Sequence, residues 1–173
     1  MGNLVTEIRN FYSLKELSES IEDEINSYKA AVEEYNQRLG VFLRELEATH
    51  GDEEWFKKIS NLQKSAKKGK SKGKKKSSSW TTFKDIMLSA DKQGEAEMLF
   101  EAIEEMNKKI MRLEKIREAI EDLKKFGLGK DILYVTYVRD EVPEKLVLRK
   151  KDGKSAEKFE FIAEFSTLKT HES

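Results

Sequence analysis

The chain has no cysteine, which removes disulfides, thiolate nucleophiles and cysteine-held zinc or iron–sulfur centres, and makes an intracellular setting, cytoplasmic or nuclear, the expected one. It holds one proline and nine glycines in 173 residues, so little interrupts long helices. No run of about 18 apolar residues occurs, and "MGNLVTEIRNFY" has neither the basic start nor the apolar core of a signal peptide. Gly2 and Thr6 match the spacing of a myristoylation signal. A second anchor in the form of a nearby basic cluster is absent, so no membrane partner is expected.

Charged residues make up 38% of the chain, with 33 bases against 33 acids. Ordinary globular chains hold about a quarter, and the excess favours coiled-coil helices. Ser13-Leu14-Lys15-Glu16 fits a capping box and predicts a helix start. Behind it Leu14, Leu17, Ile21, Ile25, Tyr28, Val32, Tyr35, Leu39, Phe42 and Leu46 recur at steps of three or four, until His50-Gly51 ends the run. Asp52 is placed to cap a shorter helix with Trp55, Phe56, Ile59 and Leu62 as its stripe.

From 67 to 79 there is no apolar side chain, and a disordered linker is expected. "WTTFKDIML" predicts a short helix from Thr82, followed by a long one from about Asp91 to Phe126. The seam of the long helix is Leu99, Ile103, Met106, Ile110, Leu113, Ile116, Ile120 and Leu123. The two long helices pair most simply as an antiparallel coiled-coil hairpin.

After Gly127 and Gly129 the period changes to that of strands at 132–138, 144–150 and 158–165, separated by a turn at Pro143 and another at Asp152-Gly153. The expected fold is therefore mainly α with a small antiparallel β appendage, a three-stranded meander. By region, 1–66 holds the first coiled-coil helix and the short second helix, 67–79 the linker, 80–127 the short helix and second long helix, 128–168 the meander, and 169–173 a loose tail.

Counted from Trp55 to Lys84 there are eleven lysines, no arginine and no acid. The remainder then carries 33 − 11 = 22 bases against 33 acids, a net of −11. Such a segment binds phosphates by releasing their counterions, without reading sequence. Lys67, Lys68, Lys70, Lys72, Lys74, Lys75 and Lys76 are the candidate nucleic-acid contacts, and the competing reading is a solvated or self-associated tether. Trp80 and Phe83 are candidates for stacking on unpaired bases, although aromatics at such spacing more often anchor helices to a core. Phe159, Phe161 and Phe165 alternate along the third strand as a candidate partner-binding face.

Catalytic machinery is not expected. "GKSKGK" lacks the four-residue gap of a phosphate loop, and Glu47 with His50 lacks the second helix and further glutamates of a di-metal site. The acidic clusters around Glu22, Glu33 and Glu104 read as solvated coiled-coil faces. No metal, cofactor or small-molecule substrate is expected. The function predicted is a self-associating coiled-coil adaptor touching nucleic acid or ribonucleoprotein, the partner being nucleic acid and a second coiled-coil chain. The alternatives are a purely protein-binding scaffold and, third, a holdase-like chaperone.

Overall fold

The computed structural model describes residues 5–66 and 80–151. It is mostly helical with small antiparallel sheets: β1 (Thr6–Phe11), α1 (Leu14–His50), α2 (Glu54–Ala66), β2 (Thr81–Phe83), β3 (Ile86–Leu88), α3 (Lys92–Lys124), β4 (Ile132–Arg139) and β5 (Val142–Lys150). Two compact units share these elements. Of the described residues, one comprises 5–26 and 111–151, the other 27–66 and 80–110.

The start of α1 follows its sequence signal. Glu16 N donates to Ser13 Oγ at 3.0 Å, satisfying an amide that has no partner inside the helix. The glutamate reaches one residue further back than the usual box, accepting from Tyr12 N at 2.9 Å. At the entry to α2, Lys57 N bonds to the Glu53 carbonyl, which puts the cap at Glu53 and not at Asp52.

In the first unit Leu17, Ile21 and Ile25 of α1 and Leu113 and Ile120 of α3 are buried, as are Phe11, Ile132, Tyr134, Val138, Val142 and Leu148 of the sheet. Ser18 Oγ donates to Glu121 Oε1 at 2.8 Å, and Glu22 pairs with Arg117. Along these pairs the number rises in α1 as it falls in α3. In the second unit the core is Leu39, Leu43 and Leu46 of α1, Phe56 and Ile59 of α2, and Ala96, Leu99 and Ile103 of α3. There Lys109 Nζ donates to Tyr28 Oη at 3.2 Å and lies 5.1 Å from that ring's centroid.

The larger sheet has the order β1-β4-β5, antiparallel throughout. Its expected members at 132–138 and 144–150 are present, while the strand expected at 158–165 lies outside the described residues. The third described member is instead β1, whose Phe11 faces Tyr134 and whose Thr6 faces Arg139. Glu7 and Arg9 share the face of Phe11 and pair with each other. Among the described residues β1 is an edge strand; inward charges on such a strand oppose pairing with other chains, and they also hide the alternation by which a strand is read. The turn between β4 and β5 is at Asp140-Glu141, both with positive φ, which suits a two-residue hairpin. Pro143, expected in the turn, lies inside β5 beside a register shift at Tyr137/Val138, on a strand that is at the edge of the sheet among the described residues, where a missing donor is tolerated.

The helix expected from Thr82 is a β-hairpin, with Thr81 opposite Leu88, Thr82 opposite Met87 and Phe83 opposite Ile86. Phe83, Ile86 and Met87 have spacings a helix also uses. The chain turns at Lys84 with φ 50°, and the β-branched Thr81, Thr82 and Ile86 suit the extended form.

Candidate functional site

The β2–β3 hairpin lies at the end of the lysine-rich stretch of sequence. Its entry residue, Trp80, is half-buried, and its Nε1 donates to Glu97 Oε2 of α3 at 2.9 Å. Gly94 makes room for this arrangement. A Cβ there would lie 3.6 Å from Trp80 Cζ2 and 2.6 Å from Ser89 Cβ. At the exit, Asp91 N donates to Ser89 Oγ at 3.3 Å, and α3 begins at Lys92. The entry of the hairpin is thus tied to the second turn of α3, and its exit leads through a local Ser89–Asp91 bond into the start of that helix.

Side chains opposite one another in an antiparallel pair project to the same side, and successive ones alternate. By the observed register, Thr81, Phe83, Ile86 and Leu88 share one face, while Thr82 and Met87 share the other. Phe83 is 59% exposed, Ile86 60% and Leu88 50%. Lys84 Nζ stands 5.8 Å from the Phe83 ring centroid, and Lys84-Asp85 forms the tip.

The sequence candidates fall in different places. Lys67, Lys68, Lys70, Lys72, Lys74, Lys75 and Lys76 lie outside the described residues, as do Phe159, Phe161 and Phe165. Trp80 has its indole N–H engaged by Glu97, whereas Phe83 presents its ring to solvent. Ile86 and Leu88 were not singled out by sequence. The signal for them was the alternation Thr81, Phe83 and Ile86, Leu88 about a charged pair.

Elsewhere, several polar groups that could have carried a site are engaged in structural contacts. His50 Nδ1 lies 3.0 Å from Glu53 Oε1, so the histidine of the Glu47/His50 spacing is paired outside that spacing. Hydrogen bonds with His50 and then Trp55 hold the Glu53 carboxyl below its ordinary range. Among the described residues no group of three or more His, Asp or Glu side chains is placed to hold a metal. A cleft of about 470 Å³ in the first unit is lined by Tyr12, Leu14, Lys124, Lys130, Tyr134 and Lys151, among others. Two of its cations are committed: Lys124 Nζ donates to Glu121 Oε1 at 2.8 Å, and Lys151 Nζ to the Lys130 carbonyl at 2.8 Å. Burial pushes the Tyr134 hydroxyl pKa up.

Among the described residues no helix is long and apolar enough to cross a membrane. No family model, curated protein or solved structure matches the chain.

Proposed function

We propose that the protein is a non-enzymatic adaptor that self-associates and contacts the phosphates of nucleic acid or ribonucleoprotein through Lys67, Lys68, Lys70, Lys72, Lys74, Lys75 and Lys76. The reading takes α1 and α3 as an antiparallel coiled-coil hairpin, supported by the Ser18–Glu121 and Glu22–Arg117 pairs in one unit and Tyr28–Lys109 in the other. The observation that carries the phosphate contact is the partition of charge. Eleven lysines and no acid occur from Trp55 through Lys84, in a chain whose remainder has a net of −11. Mass action with counterions gives such a segment affinity for any polyphosphate. The absence of arginine from it argues for point-charge contact with the backbone and against reading of base edges.

A second reading, a protein-binding scaffold, draws on the larger sheet. By register Ile8, Val135 and Val147 belong to the side of the sheet away from Tyr134 and Leu148, with Ile8 71% and Val147 48% exposed. The two readings separate in one experiment. The seven lysines are changed to glutamine and binding to labelled DNA and RNA is compared with the intact chain at low salt. Loss of binding supports the phosphate reading; full binding by the glutamine variant, or none by the intact chain, removes it and leaves the scaffold.

A further inference from the structure

We propose that the β2–β3 hairpin is a single-strand recognition element, its Phe83, Ile86 and Leu88 face taking up unpaired bases; the inference rests on the phosphate reading above. The hairpin has three residues in each strand, a size that is marginal in water without a partner. Here its entry is tied to α3 by Trp80, and Ser89 accepts from Asp91 N just before that helix, while Phe83, Ile86 and Leu88 on one face, and Met87 on the other, stay exposed. That arrangement holds apolar surface in water, which is unfavourable in proportion to its area and points to an occupant.

The charge of the chain limits what the occupant is. Only Ser77, Ser78 and Ser79 separate Lys76 from Trp80 in sequence, a span of at most about 14 Å. The partner therefore offers negative charge and a flat apolar surface close together. Each nucleotide of an unpaired strand does so, with a phosphate for lysine and a base face for the Phe83 ring. In a duplex the base faces are stacked away, so the hairpin favours single strands.

Two other occupants fit less well. A bilayer admits an apolar tip, but this tip is Lys84-Asp85, and both charges would have to leave water before the apolar face entered. A second copy docked hairpin to hairpin, as distinct from association through the helices, would set like charge against like, since the lysine-rich stretch adjoins Trp80 in sequence. Face-to-face hairpins would also bury only the area of a few side chains, against about 800 Å² per partner in a standard interface.

The test measures anisotropy of labelled oligo(dT) and of a duplex of equal length, with the full chain across a salt series. The intact chain is expected to prefer oligo(dT) by about tenfold or more, and Phe83→Ser with Leu88→Ser to remove about tenfold of oligo(dT) affinity while leaving the duplex unchanged. Phe83→Leu keeps the hairpin apolar and removes the π face, so it is expected to lose part of the preference. Thr82→Ser with Met87→Ser, on the other face, is expected to keep it. Hairpin variants that match the intact chain on both ligands, while the seven-lysine variant binds neither, overturn this inference alone. Equal losses on both ligands, or recruitment to phosphatidylserine vesicles in place of oligo(dT), overturn it too. An intact chain that binds neither oligomer overturns it together with the phosphate reading.

Discussion

Trp80 Nε1 donates to Glu97 Oε2 across 17 positions of sequence at 2.9 Å, tying the entry of an exposed hairpin to the second turn of α3. Trp80→Phe keeps most of the ring contact and deletes the donor. A half-buried hydrogen bond to a carboxylate contributes about 1.5–3 kcal/mol. The loss is expected to be local, read as faster amide exchange at Thr81–Leu88 with little change in the global denaturation midpoint. Unchanged exchange there would show that the indole bond does not hold the hairpin.

Gly94 and Gly127 differ in what a methyl group meets. At Gly94 a Cβ falls 2.6 Å from Ser89 Cβ, so Gly94→Ala is expected to displace the Ser89 side chain from its bond with Asp91 N and loosen the hairpin exit. That displacement should outweigh the gain of about 0.5–1 kcal/mol that alanine brings to a helix. At Gly127, with φ +57° and nothing within 4 Å of the added Cβ, the expected cost of alanine is backbone strain alone, about 1–2 kcal/mol. Calorimetry of both variants, with exchange at the hairpin for Gly94→Ala, checks the contrast.

The buried seam positions test the helical framework. Leu39 and Leu113 are both fully buried, one in each unit. Truncation to alanine is expected to cost about 2–5 kcal/mol at each, measured by urea denaturation with circular dichroism. A cost under about 1 kcal/mol at either would place that residue outside a packed core.

How much of this was legible follows from the kind of signal. The α1 seam is readable because Leu17, Ile21, Ile25, Leu39 and Leu46 repeat over about eight turns, and packing needs only that repetition. Its one omission, Leu43, sits beside Phe42, where two adjacent apolar residues leave the choice of face open. β1 was not legible because Glu7 and Arg9 occupy positions where an inward residue is normally apolar, and their mutual pairing is a tertiary fact. The hairpin reads as a helix in sequence because its two three-residue strands carry too few periods to separate 2 from 3.6. The backbone reversal at Lys84 has no glycine or asparagine to announce it. For the candidate site, sequence marked Phe83 and the neighbouring lysines, while the face joining Phe83 to Ile86 and Leu88 required the register.

Acid should act through Glu144 and Glu121. Burial pushes the Glu144 carboxyl up, but hydrogen bonds from Arg112 at 2.8 Å and Arg139 at 2.9 Å more than offset it, leaving the pKa below the ordinary 4.5. Lys124 and then Ser18 lower that of Glu121. A carboxyl whose pKa is lower folded than unfolded stabilises the fold fully above its unfolded value, and that contribution is lost as pH falls through the folded value. Denaturation midpoints are therefore expected to be insensitive to these groups above about pH 5 and to fall below it. Glu144→Gln should flatten the acid limb, and an identical acid limb in that variant would assign it to other groups.

The central claim, that the lysine segment meets phosphates, is tested most directly by the slope of log affinity for duplex DNA against log salt concentration. For B-DNA the slope is about −0.9 per phosphate neutralised. The intact chain is expected to show a steep negative slope that becomes shallower by up to about 6 when Lys67, Lys68, Lys70, Lys72, Lys74, Lys75 and Lys76 are changed to glutamine. A slope near zero, or the same slope in both proteins, would contradict the account.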